Sequence, residues 1–381
     1  MLKNITFWLV FFSFMFLSCA SPSPTSFSVT PGNIDEYIAP TYTPRPIPTP
    51  FQKSTNGEIV LLLRKRAAPF EVLILRLPDT CLLSNEICNV DGNLLGVLPQ
   101  SLSHVLKVYW SNKGDKAFFW DNNVGDIYVL DGNKGVFTVF EEKIQKVRDD
   151  FFISPNGENI VFEIQKGDFE TELVMMNSVS GDILKFDISI QGAKYISQWI
   201  DNHTVLFWNE VSEGKGYLVD LKVYKLNTLD HTVQLFDIGR DWMKTSVPVL
   251  SPNKNFIVFT TETQTITRDI HSSAEIVWNV RSEKSLWSMD SSILAIYNDS
   301  SGKIYTVFPN SADLQAIYSL PMGDLLADWI WLPDNQHILL AIADENESTQ
   351  LGILSIEKKT FTPINLSLLS EYVPVSFSFR P

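Results

Sequence analysis

Histidine and cysteine are scarce in this chain, which has five histidines and three cysteines among its 381 residues. No two histidines lie at a metal-binding spacing such as His-x-x-x-His, and His203 and His337 fall inside predicted turns. The sequence also lacks the Gly-x-Ser-x-Gly elbow of many hydrolases, the Gly-x-Gly-x-x-Gly fingerprint of dinucleotide binding and a phosphate-binding loop. We therefore predict no metal, no cofactor and no catalytic residue, although a site assembled from distant segments would leave no such signature.

Basic residues are also few: 30 lysines and arginines stand against 44 aspartates and glutamates, for a net charge of −14. No basic patch with interleaved aromatic residues is present, so we predict no nucleic-acid partner. The same charge disfavours adsorption to anionic lipid. The acidic clusters at 141–142, 149–150 and 344–347 lack the alternating-oxygen spacing of a calcium loop, so we interpret them as solvated loops.

An apolar run, Ile5–Leu17, is too short at 13 residues to be a comfortable membrane-spanning helix. Lys3 precedes it and Cys19 follows almost directly, an order typical of a secretory signal. A cysteine in this place resembles the signal of bacterial lipoproteins, which implies that residues 1–18 are removed and that Cys19 is lipidated. Phe16 and Leu17 depart from the usual pattern, so an ordinary signal peptide followed by a stray cysteine remains the alternative.

The segment after Cys19 has a composition of its own. Residues 20–52 contain eight prolines and few large apolar side chains. Such a segment is extended and semi-rigid and cannot form a core. We therefore predict a tether over residues 19–55, which lets a membrane-anchored domain at residues 56–381 stand off from the lipid surface.

A motif returns six times in residues 56–381. In each copy an apolar or aromatic strand leads into a turn such as Ser-Pro-Asn-Gly, and a β-branched or aromatic run follows. The copies begin at Trp110, Ile153, Trp199, Leu250, Trp287 and Trp331. Their starts lie 43, 46, 51, 37 and 44 residues apart, a period typical of a stacked or radial array.

A seventh copy is split between the two ends of this region. Phe379-Arg380-Pro381 has the first half of the motif and Asn56–Leu61 has the second half. A closed ring explains this split, because the last strand then completes the first repeat and leaves no free sheet edge. The four strands predicted for the first repeat are Val375–Phe379 as the innermost, then Glu58–Leu63, Phe70–Leu77 and Asn93–Leu98.

Each repeat is predicted to contain four strands. Proline suits the first corner of a tight turn and Asn or Gly tolerates a positive φ, so each copy indicates a hairpin. Two more strands follow, which after Ile153 are Glu172–Met176 and Asp182–Phe186. Four-stranded repeats are the blades of a β-propeller, whereas a β-sandwich leaves the split copy unexplained. The motif Ser-Pro-Asn-Gly-x-x-Ile-x-Phe resembles the repeat of TolB-like β-propellers, distant relatives of WD-repeat proteins, over nearly all of residues 57–381.

Seven copies predict seven blades, whereas the best-known TolB-like propellers have six. The copies at Trp199 and Trp287 lack the proline, and both are interpreted as one residue short. A six-bladed ring stays open as the alternative if Ser282–Tyr297 forms the outer part of the fifth blade. The tryptophans that recur at one phase of the repeat are interpreted as packing between blades.

Cys81 and Cys88 lie together in the loop at 78–92 of the first repeat. Export makes a disulfide plausible there, and six intervening residues can close such a loop. Free thiols are the alternative.

The face opposite the motif turns carries the loops that lead into each inner strand and those that follow each second strand. The second set is predicted at 165–171, 209–216, 261–273 and 344–349. Function usually lies in variable loops on a rigid scaffold. The candidate partner-binding residues there are Arg148, Asp149, Asp150, Arg240 and Trp242. Trp242 is the best single anchor, with packing under the next blade as its alternative role.

The sequence thus predicts an all-β, seven-bladed β-propeller of four-stranded antiparallel blades on the surface of a bacterial cell. It is predicted to be a monomer, held by lipid on Cys19, that binds or scaffolds a protein or a glycan. One alternative is a propeller enzyme, carbohydrate-active or peptide-modifying, with its site at the central channel. The other is a structural component of the cell envelope, by analogy with TolB-like proteins.

Overall fold

The structure is a computed structural model, and its sheets lie in the second of two units, 1–46 and 47–381. It describes residues 58–65, 71–83, 86–97, 105–111, 115–121, 127–132, 136–140, 147–167, 170–190, 192–212, 219–236, 248–345, 348–366 and 372–380. The signal peptide, Cys19 and the tether predicted at 1–55 lie outside these residues. Within them, no helix combines the length and the apolar character needed to cross a membrane.

The described strands form seven sheets, each with four consecutive antiparallel strands, so the predicted seven-bladed β-propeller is confirmed. Blade one contains β1 (Glu58–Lys65), β2 (Glu71–Leu75), β4 (Gly92–Val97) and β29 (Tyr372–Arg380). Blade two contains β5 (Val105–Trp110), β6 (Lys116–Asp121), β7 (Ile127–Asp131) and β8 (Val136–Phe140). Blade three contains β9 (Val147–Ile153), β10 (Asn159–Gly167), β11 (Glu170–Asn177) and β12 (Ile183–Lys185).

The remaining blades follow the same order from the inside outwards. Blade four contains β13 (Ala193–Trp199), β14 (Thr204–Ser212), β15 (Val219–Asn227) and β16 (Val233–Leu235). Blade five contains β17 (Val249–Leu250), β18 (Phe256–Thr260), β19 (Thr265–Asp269) and β20 (Glu275–Trp278). Blade six contains β21 (Lys284–Trp287), β22 (Leu294–Asn298), β23 (Lys303–Val307) and β24 (Leu314–Ser319). Blade seven contains β25 (Leu325–Trp331), β26 (His337–Ala343), β27 (Thr349–Ser355) and β28 (Thr360–Leu366).

Blade one is built from both ends of the domain. The C-terminal β29 lies antiparallel beside β1, with Ile59 opposite Phe379 and Leu61 opposite Phe377. The two halves of the split motif therefore meet in one sheet, which confirms the predicted closure of the ring. β29 is longer than the predicted 375–379, because its pairing continues as far as Tyr372 opposite Lys65.

Blade six decides the blade count. β21 is the first strand of its own four-stranded sheet, so the region 282–297 is not an outer part of blade five. The interpretation of the Trp287 copy as one residue short is wrong. Ser288 N–H donates to Ile293 O at 2.8 Å, and Ser251 N–H donates to Phe256 O across the same five-residue interval. The Trp199 copy is shorter, since Ile200 N–H reaches the oxygen of Thr204.

The core lies between the blades. The described residues form seven apolar clusters, and each one joins the facing sides of two neighbouring blades around the ring. The phenylalanines in the second strand of the motif are fully buried there: Phe119, Phe162, Phe207 and Phe259. Burying such a side chain stabilises the fold by about 1.5–3 kcal/mol, so the ring is held together blade against blade.

The loop at 78–92 contains structure that the sequence does not indicate. It includes a short helix, α1 (Asp79–Leu83), and a strand, β3 (Cys88–Val90). β3 leaves blade one and pairs in parallel with β28, so blade seven has a fifth strand. The described part of the chain has one other helical turn, a 3₁₀ turn at Asp299–Ser301.

Candidate binding surface

The motif turns on one face of the ring share one hydrogen-bond pattern. In blade three, Ser154 Oγ donates to Asn156 Oδ1 at 2.7 Å and accepts from Asn159 N–H at 2.9 Å. Blade five repeats both bonds with Ser251 and Asn253, at 2.8 and 3.0 Å. The side chains thus satisfy the backbone of their own turn, which explains the choice of Ser and Asn in the motif.

Gly157 has a reason of its own to be glycine. Its φ is +73°, a left-handed conformation that glycine adopts without a steric penalty. A Cβ at this position would also lie 2.6 Å from Ser111 Cβ of blade two. The Gly of the motif is therefore required both by the turn and by the neighbouring blade.

Adjacent turns are joined to one another at three junctions. Asn156 N–H of blade three donates to Asn202 Oδ1 of blade four at 3.0 Å. Asn253 N–H of blade five donates to Ser291 Oγ of blade six at 2.9 Å. Asp290 N–H of blade six donates to Asn335 Oδ1 of blade seven at 3.3 Å. Much of the hydrogen-bonding capacity of the motif turns is thus used within the ring.

The recurring tryptophans clamp the same three junctions from inside. The indole N–H of Trp199 donates to Phe152 O at 2.9 Å, and that of Trp331 donates to Leu286 O at 2.9 Å. Trp287 makes the equivalent bond to Val249 O at 3.4 Å. All three side chains are buried, so the prediction that they pack between blades is confirmed.

Blade five has Leu250 where its neighbours have tryptophan, and a different clamp replaces the indole. Gln198 of blade four accepts from Leu250 N–H at 3.2 Å and donates to Leu250 O at 3.5 Å. Ser197 Oγ also donates to Pro248 O. Nothing in the repeat pattern singles out Gln198, because it lies outside the motif.

The structure brings two of the predicted site residues together. Cys81 in α1 and Cys88 in β3 form a disulfide with their Cα atoms 5.2 Å apart. Both are buried in the cluster that joins blades seven and one. The disulfide therefore fastens the added strand β3 to the loop that carries it.

The other predicted site residues are not brought together by the described structure. Arg148, Asp149 and Asp150 lie inside β9 and not in a loop, which corrects the predicted location. They occupy an irregularity in the pairing, since Val147 is opposite Ile164 and Phe151 is opposite Phe162. Arg240 and Trp242 lie outside the described residues, so their role in partner binding stays a prediction.

The loop predicted at 261–273 is wrong in extent. A tight turn closes within three residues, where Thr261 N–H donates to Gln264 O at 2.8 Å. β19 then begins at Thr265, and a second turn at 270–274 lies on the face of the motif turns. Polar residues on this strand, among them Thr265 and Thr267, made it resemble a loop in the sequence.

On the loop face, a buried lysine ties blade three to blade four. Lys194 Nζ donates to Gly192 O at 3.2 Å and to Thr171 O at 3.3 Å. Burial lowers the pKa of Lys194, because the charged ammonium loses hydration there. Nearby, Lys166 and Glu172 form an ion pair at 2.8 Å that raises the pKa of Lys166. These charges hold loops and strands in place, and they do not surround a cavity that the structure records.

His337 lies in the motif turn of blade seven. Its Nδ1 is 2.6 Å from Asp334 Oδ2. Burial opposes the ionisation of Asp334, but hydrogen bonds from His337 and from the backbone N–H of Gln336 hold the pKa of Asp334 below its usual value. Among the described residues, no three His, Cys, Asp or Glu side chains converge as metal ligands would.

A polar pocket lies on the outer part of blade four, at the face of the motif turns. It has a volume of about 240 Å³ and is lined by Ile200, Asp201, Thr204, Lys225, Asn227, Thr232 and Gln234. Lys225 is two residues along β15 from Val223, which packs towards blade five. Because side chains alternate along a strand, Lys225 points to that same side. The pocket therefore opens beside the groove between blades four and five.

Several polar groups in this pocket keep unused hydrogen-bonding capacity. Within the described part of the chain, the Gln234 amide makes no hydrogen bond, and Lys225 Nζ contacts only the ring of Phe236, at 4.4 Å from its centroid. Asp201 uses Oδ1 to accept from His203 N–H at 2.9 Å, which leaves Oδ2 available. The sequence gives no signal for this site, because its residues come from separate strands and turns.

Comparison with solved structures shows the fold. The structure is similar to a candidate 6-phosphogluconolactonase from Bacteroides fragilis, with 14% identity, a TM-score of 0.57 and coverage of 86% of this chain and 99% of that one. It is similar to an oligogalacturonate lyase in complex with manganese, with 14% identity, a TM-score of 0.55 and coverage of 81% and 85%. TolB from Acinetobacter baumannii matches at 13% identity and a TM-score of 0.45, over 84% of this chain and 67% of that one.

No protein-family model matches the sequence, and no curated protein matches it either. At these identities the solved structures share architecture with this chain and carry nothing about its activity. The class that the fold defines is a seven-bladed β-propeller, closed by its C-terminal strand.

Proposed function

We propose that this chain is a ligand-binding propeller on the surface of a bacterial cell, anchored by lipid on Cys19, whose partner is a protein or a glycan. The observation that carries the binding function is the pocket on blade four. The motif turns and the tryptophans use their polar groups to join blades, whereas Lys225 and Gln234 line a concave site with donors and acceptors to spare. Concave sites with a few convergent polar groups are where ligands bind.

The proposed location rests on the leader and on the disulfide. A cysteine directly after a 13-residue apolar run, followed by a proline-rich tether, suits a lipid-anchored domain. The bond between Cys81 and Cys88 fits an oxidising compartment, where disulfides persist. The ring is large enough to act as a rigid platform, and the tether would present it away from the membrane.

Array binding tests the ligand-binding function. The full chain, solubilised in detergent, is labelled and applied to glycan and peptide arrays. We expect binding to one chemically coherent set of glycans or peptides that unlabelled chain competes away. Absence of any competed signal contradicts the proposal. Release of a chemically altered ligand, detected by mass spectrometry, would support the enzymatic alternative instead.

Cys19→Ser tests the anchor. We expect the variant to move from the membrane fraction to the soluble or secreted fraction, because it has no acceptor for lipid. One acyl chain gives only marginal attachment, so the wild-type chain should carry more than one. The measurement is fractionation together with the intact mass of the mature chain, with Ser21→Ala as the matched control in the tether. A Cys19→Ser chain that stays in the membrane with residues 1–18 attached would make the segment an uncleaved anchor.

A further inference from the structure

We infer that the pocket on blade four binds a single neutral saccharide unit, an inference that rests on the proposed function and names its ligand class. Its side chains form an ordered lattice on one face of the blade. Thr204 lies opposite Asn227 across β14 and β15, and Lys225 lies opposite Gln234 across β15 and β16. Directly opposed residues have their Cβ atoms about 4.5–5.5 Å apart, a spacing comparable to that between neighbouring hydroxyls and ring substituents of a sugar.

The chemistry of the lining favours a ligand with many hydroxyls. Lys225 supplies donors, Asp201 supplies acceptors, and the amides of Asn227 and Gln234 supply both. A vicinal diol presents a donor and an acceptor on each oxygen, so it can match all of these groups at once. A purely anionic or purely cationic ligand would leave one part of this mixed set unpaired, which is costly once the site is covered.

The charge balance points in the same direction. The pocket has one carboxylate, that of Asp201, and one ammonium, that of Lys225. A phosphate or a carboxylate would gain from Lys225 but would be repelled by Asp201, and a cation would meet the reverse. Ile200 supplies an apolar wall against which the C–H face of a sugar ring can pack. A neutral saccharide therefore suits the site better than an ion.

Size limits the ligand to one unit. A volume of 240 Å³ corresponds to about eight water molecules at about 30 Å³ each. That space accommodates one hexose or N-acetylhexosamine ring, and a longer glycan would extend from the pocket into solvent. The site would accordingly recognise one residue of a surface glycan, not a whole oligosaccharide.

Two of the contacts are held in place before any ligand binds. The stem of Lys225 is fixed because its ammonium lies over the Phe236 ring, 4.4 Å from the centroid. Asp201 is held by the N–H of His203 at 2.9 Å. Side chains that are already ordered lose less entropy on binding, so even a small ligand can gain a measurable affinity.

The test is binding of free monosaccharides to the detergent-solubilised full chain, followed by saturation-transfer NMR. The probes are D-glucose, D-galactose, D-mannose and N-acetyl-D-glucosamine, each raised to about 50 mM, well above the millimolar Kd typical of so small a ligand. We expect at least one probe to bind saturably. Gln234→Ala should weaken it about fivefold and Lys225→Met about tenfold or more, since the second removes a charged donor. Lys225→Met keeps the packing of the stem on Phe236.

Gln315→Ala is the matched control, because Gln315 is also an exposed glutamine on the outer strand of a blade, β24 of blade six. It should leave the Kd unchanged. Binding of no probe, or binding that ignores both pocket variants, overturns the inference. If the arrays still show binding in that case, the proposed function stands and its ligand lies elsewhere on the ring. If the arrays also fail, the proposed function fails with it.

Discussion

Two kinds of junction hold this ring, and they differ in how the chain crosses them. Between blades six and seven the chain runs on directly, and the junction has an apolar cluster, the Trp331 indole bond and one bond between turns. Between blades seven and one the first and last parts of the domain meet. There the chain exchanges strands in both directions, with β29 added to blade one and β3 added to blade seven.

The exchanged strands close the seam at opposite edges. β29 supplies the innermost strand of blade one, next to the channel, whereas β3 supplies the outermost strand of blade seven. Lys358 Nζ reaches Leu83 O at 2.7 Å and Asn365 Nδ2 reaches Asn89 Oδ1 at 2.9 Å, so side chains reinforce the outer edge. A junction without chain continuity therefore has backbone pairing on both sides of its core, which the other junctions do not need.

Removal of β29 should break the comparison most severely. Deletion of residues 372–381 takes away the inner strand of blade one and exposes the edge of β1, which pairs with it over eight residues. We expect a loss of at least about 5 kcal/mol, comparable to the whole stability of an ordinary domain, so the ring should not unfold cooperatively. Circular dichroism during heating measures this effect.

The matched control for that truncation is deletion of residues 20–46 in the tether, which removes more residues but no described strand. It should leave the melting temperature unchanged. A chain lacking 372–381 that melts as sharply and at the same temperature as the full chain would show that strand exchange does not hold the seam.

The outer closure should matter less than the inner one. Cys81→Ser together with Cys88→Ser removes the crosslink that fastens β3, and closing so short a loop is worth about 2–3 kcal/mol. We expect the double variant to lower the melting temperature and to speed hydrogen exchange at 88–90. The wild-type chain in reductant should match the variant without reductant. If reductant lowers the stability of the double variant as well, the effect does not come from this disulfide.

The inner closure was predictable from sequence and the outer one was not, for a physical reason. The split motif has a recognisable half at each end, so Phe379 and Ile59 could be placed in one blade. β3 is three residues long and pairs with a strand more than 270 residues away, and such a segment has no periodicity of its own. Gln198 escaped in the same way, because its clamp depends on the leucine at position 250 in the next blade.

The candidate site was less predictable than the fold. Residues 148–150 were expected in a loop because they are charged, whereas β9 continues through them with irregular pairing. The pocket on blade four gives no motif, since Lys225 and Gln234 become neighbours only through the register of β15 and β16. A repeat specifies the scaffold, and the groups that differ between repeats decide what the scaffold can bind.

The smallest expected effect lies at the ordinary junctions and compares two tryptophans. Trp331→Phe removes an indole N–H that donates at 2.9 Å, and Trp287→Phe removes one that donates at 3.4 Å. Both side chains are buried, so the lost volume is similar and the hydrogen bonds differ. We expect Trp331→Phe to cost about 2 kcal/mol and Trp287→Phe about 1 kcal/mol, measured by urea unfolding monitored by circular dichroism. Equal costs would mean that packing alone holds these junctions and that the indole bond to the preceding blade contributes nothing of its own.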